Sequence, residues 1–143
     1  MQKIVWYVRG PRDCAVSIFN TYFAKGHLYT TDFEAIAELY ALHEEALKYW
    51  QKSFPGQFYV QSYESMVASP ETEVRDLLKY CGLPMEEACL NFHQRDNSVH
   101  TASMTQVRKP INSDLVACCQ RYQSYQPALD NALKRHGILT QTS

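Results

Sequence analysis

The sequence predicts an α/β fold, part of a parallel sheet flanked by helices in a helix-rich chain. Three observations carry this expectation. Val5-Trp6-Tyr7-Val8 is a β-branched and aromatic run of the kind that fits a pleated, packed surface. The elements follow in the order β-α-α-β-α, so helices lie between the two strands, as a parallel pair requires. The chain has 143 residues, 45% apolar and 13% aromatic, enough to bury a real core. Two strands are few for a parallel sheet, which is normally covered on both faces. The first strand also reads as fully buried. The chain is therefore expected to be the carboxyl-terminal part of a larger α/β domain whose first portion is missing.

The elements are justified in order. Lys3 to Val8 is the first strand, and Pro11 opens a helix running to about Ala24, proline being favoured where no intrahelical N–H is needed. Gly26 and the residues after it form a loop. Thr31-Asp32-Phe33-Glu34 matches a capping box and opens a long helix to about Lys52, with Phe33, Ile36, Ala37, Tyr40, Leu47 and Trp50 near helical spacing. Pro55-Gly56 is a turn, and Gln57 to Ser62 is a second strand. Ser69-Pro70-Glu71 begins a helix that stops at Gly82. A short helix from Glu86 to Phe92, an aperiodic polar segment from Gln94 to Asn112 and a helix from Pro127 to Arg135 closed by Gly137 complete the chain.

A formal charge of -1 excludes a global electrostatic case for nucleic acid or an anionic membrane, so any anion site is local. Five cysteines, Cys14, Cys81, Cys89, Cys118 and Cys119, form an odd set without CxxC spacing. That argues against a zinc site or a disulfide framework and fits a reducing compartment. No secretory signal and no run of transmembrane length is present, so a cytoplasmic location is expected. The histidines are scattered without an i+4 ligand partner, and no metal site is expected. No G-x-x-x-x-G-K-[ST] loop occurs.

Arg9 ends the first strand beside a helix amino terminus, and Ser17 follows eight residues later. Bare N–H groups, the helix dipole and a guanidinium would converge on one point, which suits a phosphate. Ser17, on the second helical turn, lies within about 10 Å of the strand end along the axis. A surface ion pair and an ordinary helix-face serine are the bland counterparts. Asp13 fits stabilisation of the first helical turn better than chemistry. Tyr63-Glu64 follows the second strand at the edge where open α/β sheets bind ligands, and a tyrosine there serves either a ligand or packing. Thr101-Ala102-Ser103-Met104-Thr105-Gln106-Val107-Arg108-Lys109-Pro110-Ile111-Asn112 clusters hydroxyls and two cations in a segment suited to wrapping an anion or to plain solvated connection.

Taken together these motifs resemble the sulfotransferases that use 3′-phosphoadenosine 5′-phosphosulfate (PAPS), closest to the branch of tyrosylprotein sulfotransferases and bacterial sulfotransferases fused to tetratricopeptide repeats. Arg9-Gly10-Pro11-Arg12-Asp13 with Ser17 resembles the 3′-phosphate site, Ser62-Tyr63-Glu64 the strand-end tyrosine that contacts the nucleotide, and Ser103 through Asn112 the loop covering the cofactor. Tyr80-Cys81-Gly82-Leu83-Pro84 and Cys89-Leu90-Asn91-Phe92-His93 also have the family's look. The resemblance implies a P-loop-NTPase-like sheet lacking its amino-terminal phosphosulfate-loop unit. Residues 1–139 would be the carboxyl-terminal portion of a sulfotransferase domain, and 140–143 a short tail.

The implied activity is transfer of a sulfuryl group from PAPS, without a metal, to a hydroxyl acceptor such as a peptidyl tyrosine. Arg9, Ser17, Tyr63 and residues Ser103 to Asn112 would bind the cofactor, with Ser103 nearest the reacting group. The implied partners are the nucleotide, the acceptor and, in a full-length protein, an amino-terminal portion or tetratricopeptide repeats; nucleic acid is not among them. The sequence departs from the family's pattern: the glycine-rich 5′-phosphosulfate loop and the acidic general base are absent. Cys118 and Cys119 replace a basic residue and tryptophan, and Thr21 replaces a second arginine. Turnover by the isolated chain is expected to be negligible. A non-catalytic remnant or nucleotide-binding interaction domain, and a small-molecule kinase, are the competing readings.

Overall fold

A computed structural model describes residues 2–21, 28–91 and 110–139. Strands β1 (Ile4–Val8) and β2 (Phe58–Ser62) pair in parallel, in register from Ile4 opposite Phe58 to Val8 opposite Ser62. Between them lie helix α1 (Pro11–Phe19), a 3-10 turn (Leu28–Thr31) and helix α2 (Phe33–Ser53).

Helix α1 is shorter than expected. The Asn20 amide still bonds to the Val16 carbonyl at 3.0 Å, but the Thr21 amide turns to Ile18, three residues back, and the helical ladder ends. The expected end near Ala24 falls on residues 22–27, outside the described residues. Helix α2 starts where the sequence indicates, but its cap is Asp32, whose Oδ1 accepts from the Glu34 amide at 2.9 Å. Thr31 instead closes the preceding 3-10 turn.

After β2, Ser62 caps a helix that the sequence did not announce, α3 (Tyr63–Ala68). Helix α4 (Pro70–Cys81) ends at Gly82, whose φ of 76° is the left-handed conformation glycine adopts without a Cβ penalty. The expected helix over 86–92 is a single 3-10 turn, Glu87–Cys89, with Phe92 outside the described residues. A further 3-10 turn, Cys118–Tyr122, leads to helix α5 (Gln126–Arg135).

The core lies among helices. Ala15 and Val16 of α1, Ile36 and Ala37 of α2, and Leu129, Ala132 and Leu133 of α5 are buried together with Cys118 and Cys119. Phe19, Phe33 and Tyr125 extend this core as a ring cluster with centroids 4.7 to 6.3 Å apart. Arg12 reaches from α1 to Asp130 on α5 with two hydrogen bonds of 2.7 and 3.1 Å.

The expectation of a fully buried first strand is not met. Val5 and Tyr7 are 42% and 52% exposed, and Val60 of β2 is 40% exposed. One sheet face meets α2 through Trp6 and His43, and the other meets α4 through Tyr59 and Tyr80. Among the described residues neither contact extends over the whole face, so alternate side chains of both strands stay open.

Candidate functional site

The carboxyl ends of β1 and β2 lie side by side, so Arg9 and Tyr63 each leave the sheet one residue beyond the paired Val8 and Ser62. The Tyr63 ring lies under the Arg9 guanidinium, with Cζ 5.0 Å from the ring centroid, a cation–π contact. Burial raises the Tyr63 phenol above its ordinary pKa, against the opposing pull of the Arg9 charge. Arg9 Nη2 donates to the Leu115 carbonyl at 2.7 Å and to Cys118 Sγ at 3.4 Å. Arg9 Nε is buried without a hydrogen-bond partner among the described residues.

Backbone and carboxylate contacts hold this corner. Gly10 donates its amide to Glu64 Oε1 at 2.7 Å, and Ser62 Oγ donates to Glu64 Oε2 at 2.9 Å. Burial pushes the Glu64 carboxyl up, but the hydrogen bonds from Gly10, from its own amide and from Ser62, with the Arg9 charge, together hold it below the usual carboxylate value. A Cβ at position 10 would stand 3.2 Å from Glu64 Oε1, so glycine permits this close approach. Tyr40 of α2 donates its hydroxyl to the Arg9 carbonyl at 2.7 Å, and burial pushes its pKa up to about 12.

Asp13 does more than face the helix dipole. Its Oδ2 accepts from the Ala117 amide at 2.6 Å and its Oδ1 from the Cys119 amide at 2.8 Å. Those bonds hold Ala117 in a left-handed conformation, φ 53°, and set Cys118 against Arg9. Burial raises the Asp13 carboxyl, yet the Cys119 and Ala117 hydrogen bonds outweigh it and keep the pKa below the ordinary value. Cys118 and Cys119 are free and buried, as expected of small apolar side chains, and burial lifts the Cys119 thiol to about 11.

The predicted site residues are thus brought together unevenly. Arg9 and Tyr63 meet. Ser17 sits half-buried on the second turn of α1 and shares no hydrogen bond with Arg9; its carbonyl accepts from Thr21 Oγ1 at 2.6 Å. Asn112 bonds back to the Pro110 carbonyl and accepts from the Asp114 amide, forming a local turn, and Ile111 lies half-buried between them. Ser103, Met104, Thr105, Gln106, Val107, Arg108 and Lys109 lie outside the described residues. Tyr40, Asp13 and Cys118 act at this corner through contacts across 31 to 109 positions of sequence, for which no local pattern exists. Glu64 is the exception in principle: a carboxylate directly after a strand-end tyrosine is a signal for a partner at the neighbouring strand end.

The structure is that of a helix-rich α/β domain with a small parallel sheet, which sets Arg9 and Tyr63 together at the carboxyl edge of its two strands. The model of the sulfotransferase family matches residues 2–87, which include both strands and the Arg9–Tyr63 corner, and the chain belongs to that family. It is also similar to an uncharacterized protein of Aquifex aeolicus (strain VF5), with 34% identity over 126 residues. That match covers 86% of this chain but 17% of the relative, so the chain spans a small part of that protein's length. No helix among the described residues is long and apolar enough to cross a membrane.

Proposed function

We propose that this chain is the 3′-phosphate-binding portion of a sulfotransferase that moves a sulfuryl group from PAPS to a hydroxyl acceptor. The observation that carries the reading is Arg9 itself. Its guanidinium stands at the end of β1 on the Tyr63 ring, with a buried Nε that no atom of the described residues satisfies. A buried unpaired donor costs about 1–3 kcal/mol, and an anionic oxygen is the natural partner for it. Ser17, from the next element, would approach the same phosphate, and Ser103 to Asn112 would close over the nucleotide. Ser103 would stand nearest the sulfuryl group as a hydrogen-bond donor. In the transfer the acceptor oxygen bonds to sulfur, the bond from sulfur to the 5′-phosphate oxygen breaks, and the bisphosphate leaves with that electron pair while the acceptor loses its proton to solvent.

The domain is read as incomplete, occupying residues 1–139. Support comes from the exposed Val5, Tyr7 and Val60 on a two-stranded sheet and from the much longer Aquifex relative. The five free cysteines fit a reducing, cytoplasmic setting. Thermal denaturation with adenosine 3′,5′-bisphosphate and with ATP tests the reading: a ligand at 100 times its Kd stabilises by about 2.7 kcal/mol. The bisphosphate should raise Tm and ATP should not. Preference for ATP would favour a kinase, and indifference to both a remnant without nucleotide binding. With PAPS and a tyrosine peptide, the isolated chain should show negligible transfer.

A further inference from the structure

Helix α2 is covered on one side only. Ile36 and Ala37, near its start, are buried in the core, whereas residues 48–56 at its far end are all exposed. A second apolar stripe runs roughly 150° round the helix from Ile36 and Ala37. Leu39, Leu42, Ala46 and Tyr49 follow one another at steps of three, four and three, the spacing of a seam between two helices. Leu42 is 55% exposed and Tyr49 63%, so the stripe faces open space among the described residues. Trp50 meets Tyr49 edge-on with centroids 5.0 Å apart and stacks on Phe54 at 5.7 Å, widening the patch at its carboxyl end. Contiguous apolar surface of this kind marks a docking face, which a single exposed leucine does not.

The charges beside the stripe choose its occupant. Glu38, Glu45 and Lys52 recur at seven-residue intervals along one flank, and all three are exposed. Consider a second α2 laid antiparallel on the first, about a twofold axis beside residues 44 and 45. Leu39 then meets Tyr49 of the second copy, and Leu42 meets Ala46 of the second copy. The same setting puts Glu38 opposite Lys52 of the second copy, and twofold symmetry makes that ion pair twice. Glu45 sits at the axis against its own counterpart, one like-charge contact set against two ion pairs and the apolar seam. In a parallel pair Glu45 would face Trp50, and Lys52 would run past the helix end.

We propose that the outer face of α2 is a homodimer interface, in which two copies of this chain pair antiparallel along the Leu39–Tyr49 stripe with Glu38–Lys52 ion pairs fixing the register. The helix has 21 residues and is about 31 Å long. One such seam is small against a standard interface of about 1,200–2,000 Å², so the dimer is weak and concentration-dependent. Tyr40, which holds the Arg9 carbonyl, lies on the other side of α2, and the pairing stands apart from the function proposed above.

Sedimentation equilibrium of the 143-residue chain from about 1 μM to about 1 mM reads the association. Reducing conditions keep its free cysteines from cross-linking. The wild type should pass from monomer to dimer across that range. Leu42→Glu should stay monomeric throughout, with the wild-type circular dichroism in dilute solution, because Leu42 is not among the core residues. Glu38→Lys and Lys52→Glu each turn two attractions into two repulsions and should weaken the dimer about tenfold at low salt. The double variant, with the signs exchanged, should regain wild-type association. Glu45→Gln should tighten the dimer about twofold by removing the like-charge contact. A wild type that stays monomeric assigns the stripe to another partner and overturns the inference. So does a Leu42→Glu dimer as tight as the wild type, a double variant as weak as the single ones, or loosening by Glu45→Gln.

Discussion

The Arg9 guanidinium rests on the Tyr63 ring at 5.0 Å, although the two residues are 54 positions apart in sequence. Parallel pairing of Val8 with Ser62 creates the meeting, because it brings the next residue of each strand to the same edge. Neither side chain needs a long reach. The pair presents a cation held in one plane and backed by an aromatic face, which suits a phosphate better than a freely rotating arginine does.

Removing the cation should therefore remove the anion. Arg9→Ala is expected to weaken adenosine 3′,5′-bisphosphate by about 10- to 100-fold, since hydrogen bonds to charged groups contribute about 1.5–3 kcal/mol. Tyr63→Leu keeps the cation and removes only its platform, with an expected loss of about two- to fivefold from a cation–π contact of about 0.5–1 kcal/mol. Calorimetric titration of both variants checks this. Wild-type affinity in Arg9→Ala would remove the basis of the proposed function.

Glu64→Ala leaves the Gly10 amide without its acceptor and is expected to destabilise the fold by about 1–3 kcal/mol in urea denaturation. Glu64→Gln keeps an acceptor oxygen and should lose less than half as much. Equal losses would mean that the carboxylate charge, through its attraction to Arg9, matters more than the hydrogen bond.

Acid should loosen the same corner. The Asp13 and Glu64 carboxyls both have folded pKa values below their ordinary ones, so each binds its proton less readily in the folded state than in the unfolded state. Their stabilisation is complete above the ordinary carboxylate range of about 4 and is lost as pH falls below it through the folded values. Chemical denaturation midpoints should fall between pH 5 and pH 3. In Asp13→Asn that fall should be shallower, because one of the two titrating groups is gone.

The helical core should fail in the ordinary way. Leu133→Ala, at a position with 0% exposure between α1, α2 and α5, is expected to cost about 2–5 kcal/mol from lost burial and the cavity left behind. Leu39→Ala, at a half-exposed position of α2, should cost under about 1 kcal/mol. Comparable losses at the two sites would mean that the Leu39 face of α2 is covered in solution.

What could be read from residue order is what local chemistry controls. Pro11, Asp32 and Pro70 open helices and Gly82 and Gly137 end them because φ, a missing N–H or a capping oxygen acts within a few residues. The strands and their parallel relation also followed, since a connection holding two helices leaves few other pairings. Arg9 and Tyr63 were recognisable as strand-end residues for that reason. The rest depended on groups distant in sequence. Asp13 bracketing Ala117 and Cys119, and Tyr40 holding the Arg9 carbonyl, arise from packing between residues 31 to 106 positions apart. No short pattern encodes those contacts, because each depends on where a whole helix settles against the core and not on its own neighbours. The open face of β1 shows the same limit: its run of apolar residues signals a strand, but how much of it is covered depends on what else packs there.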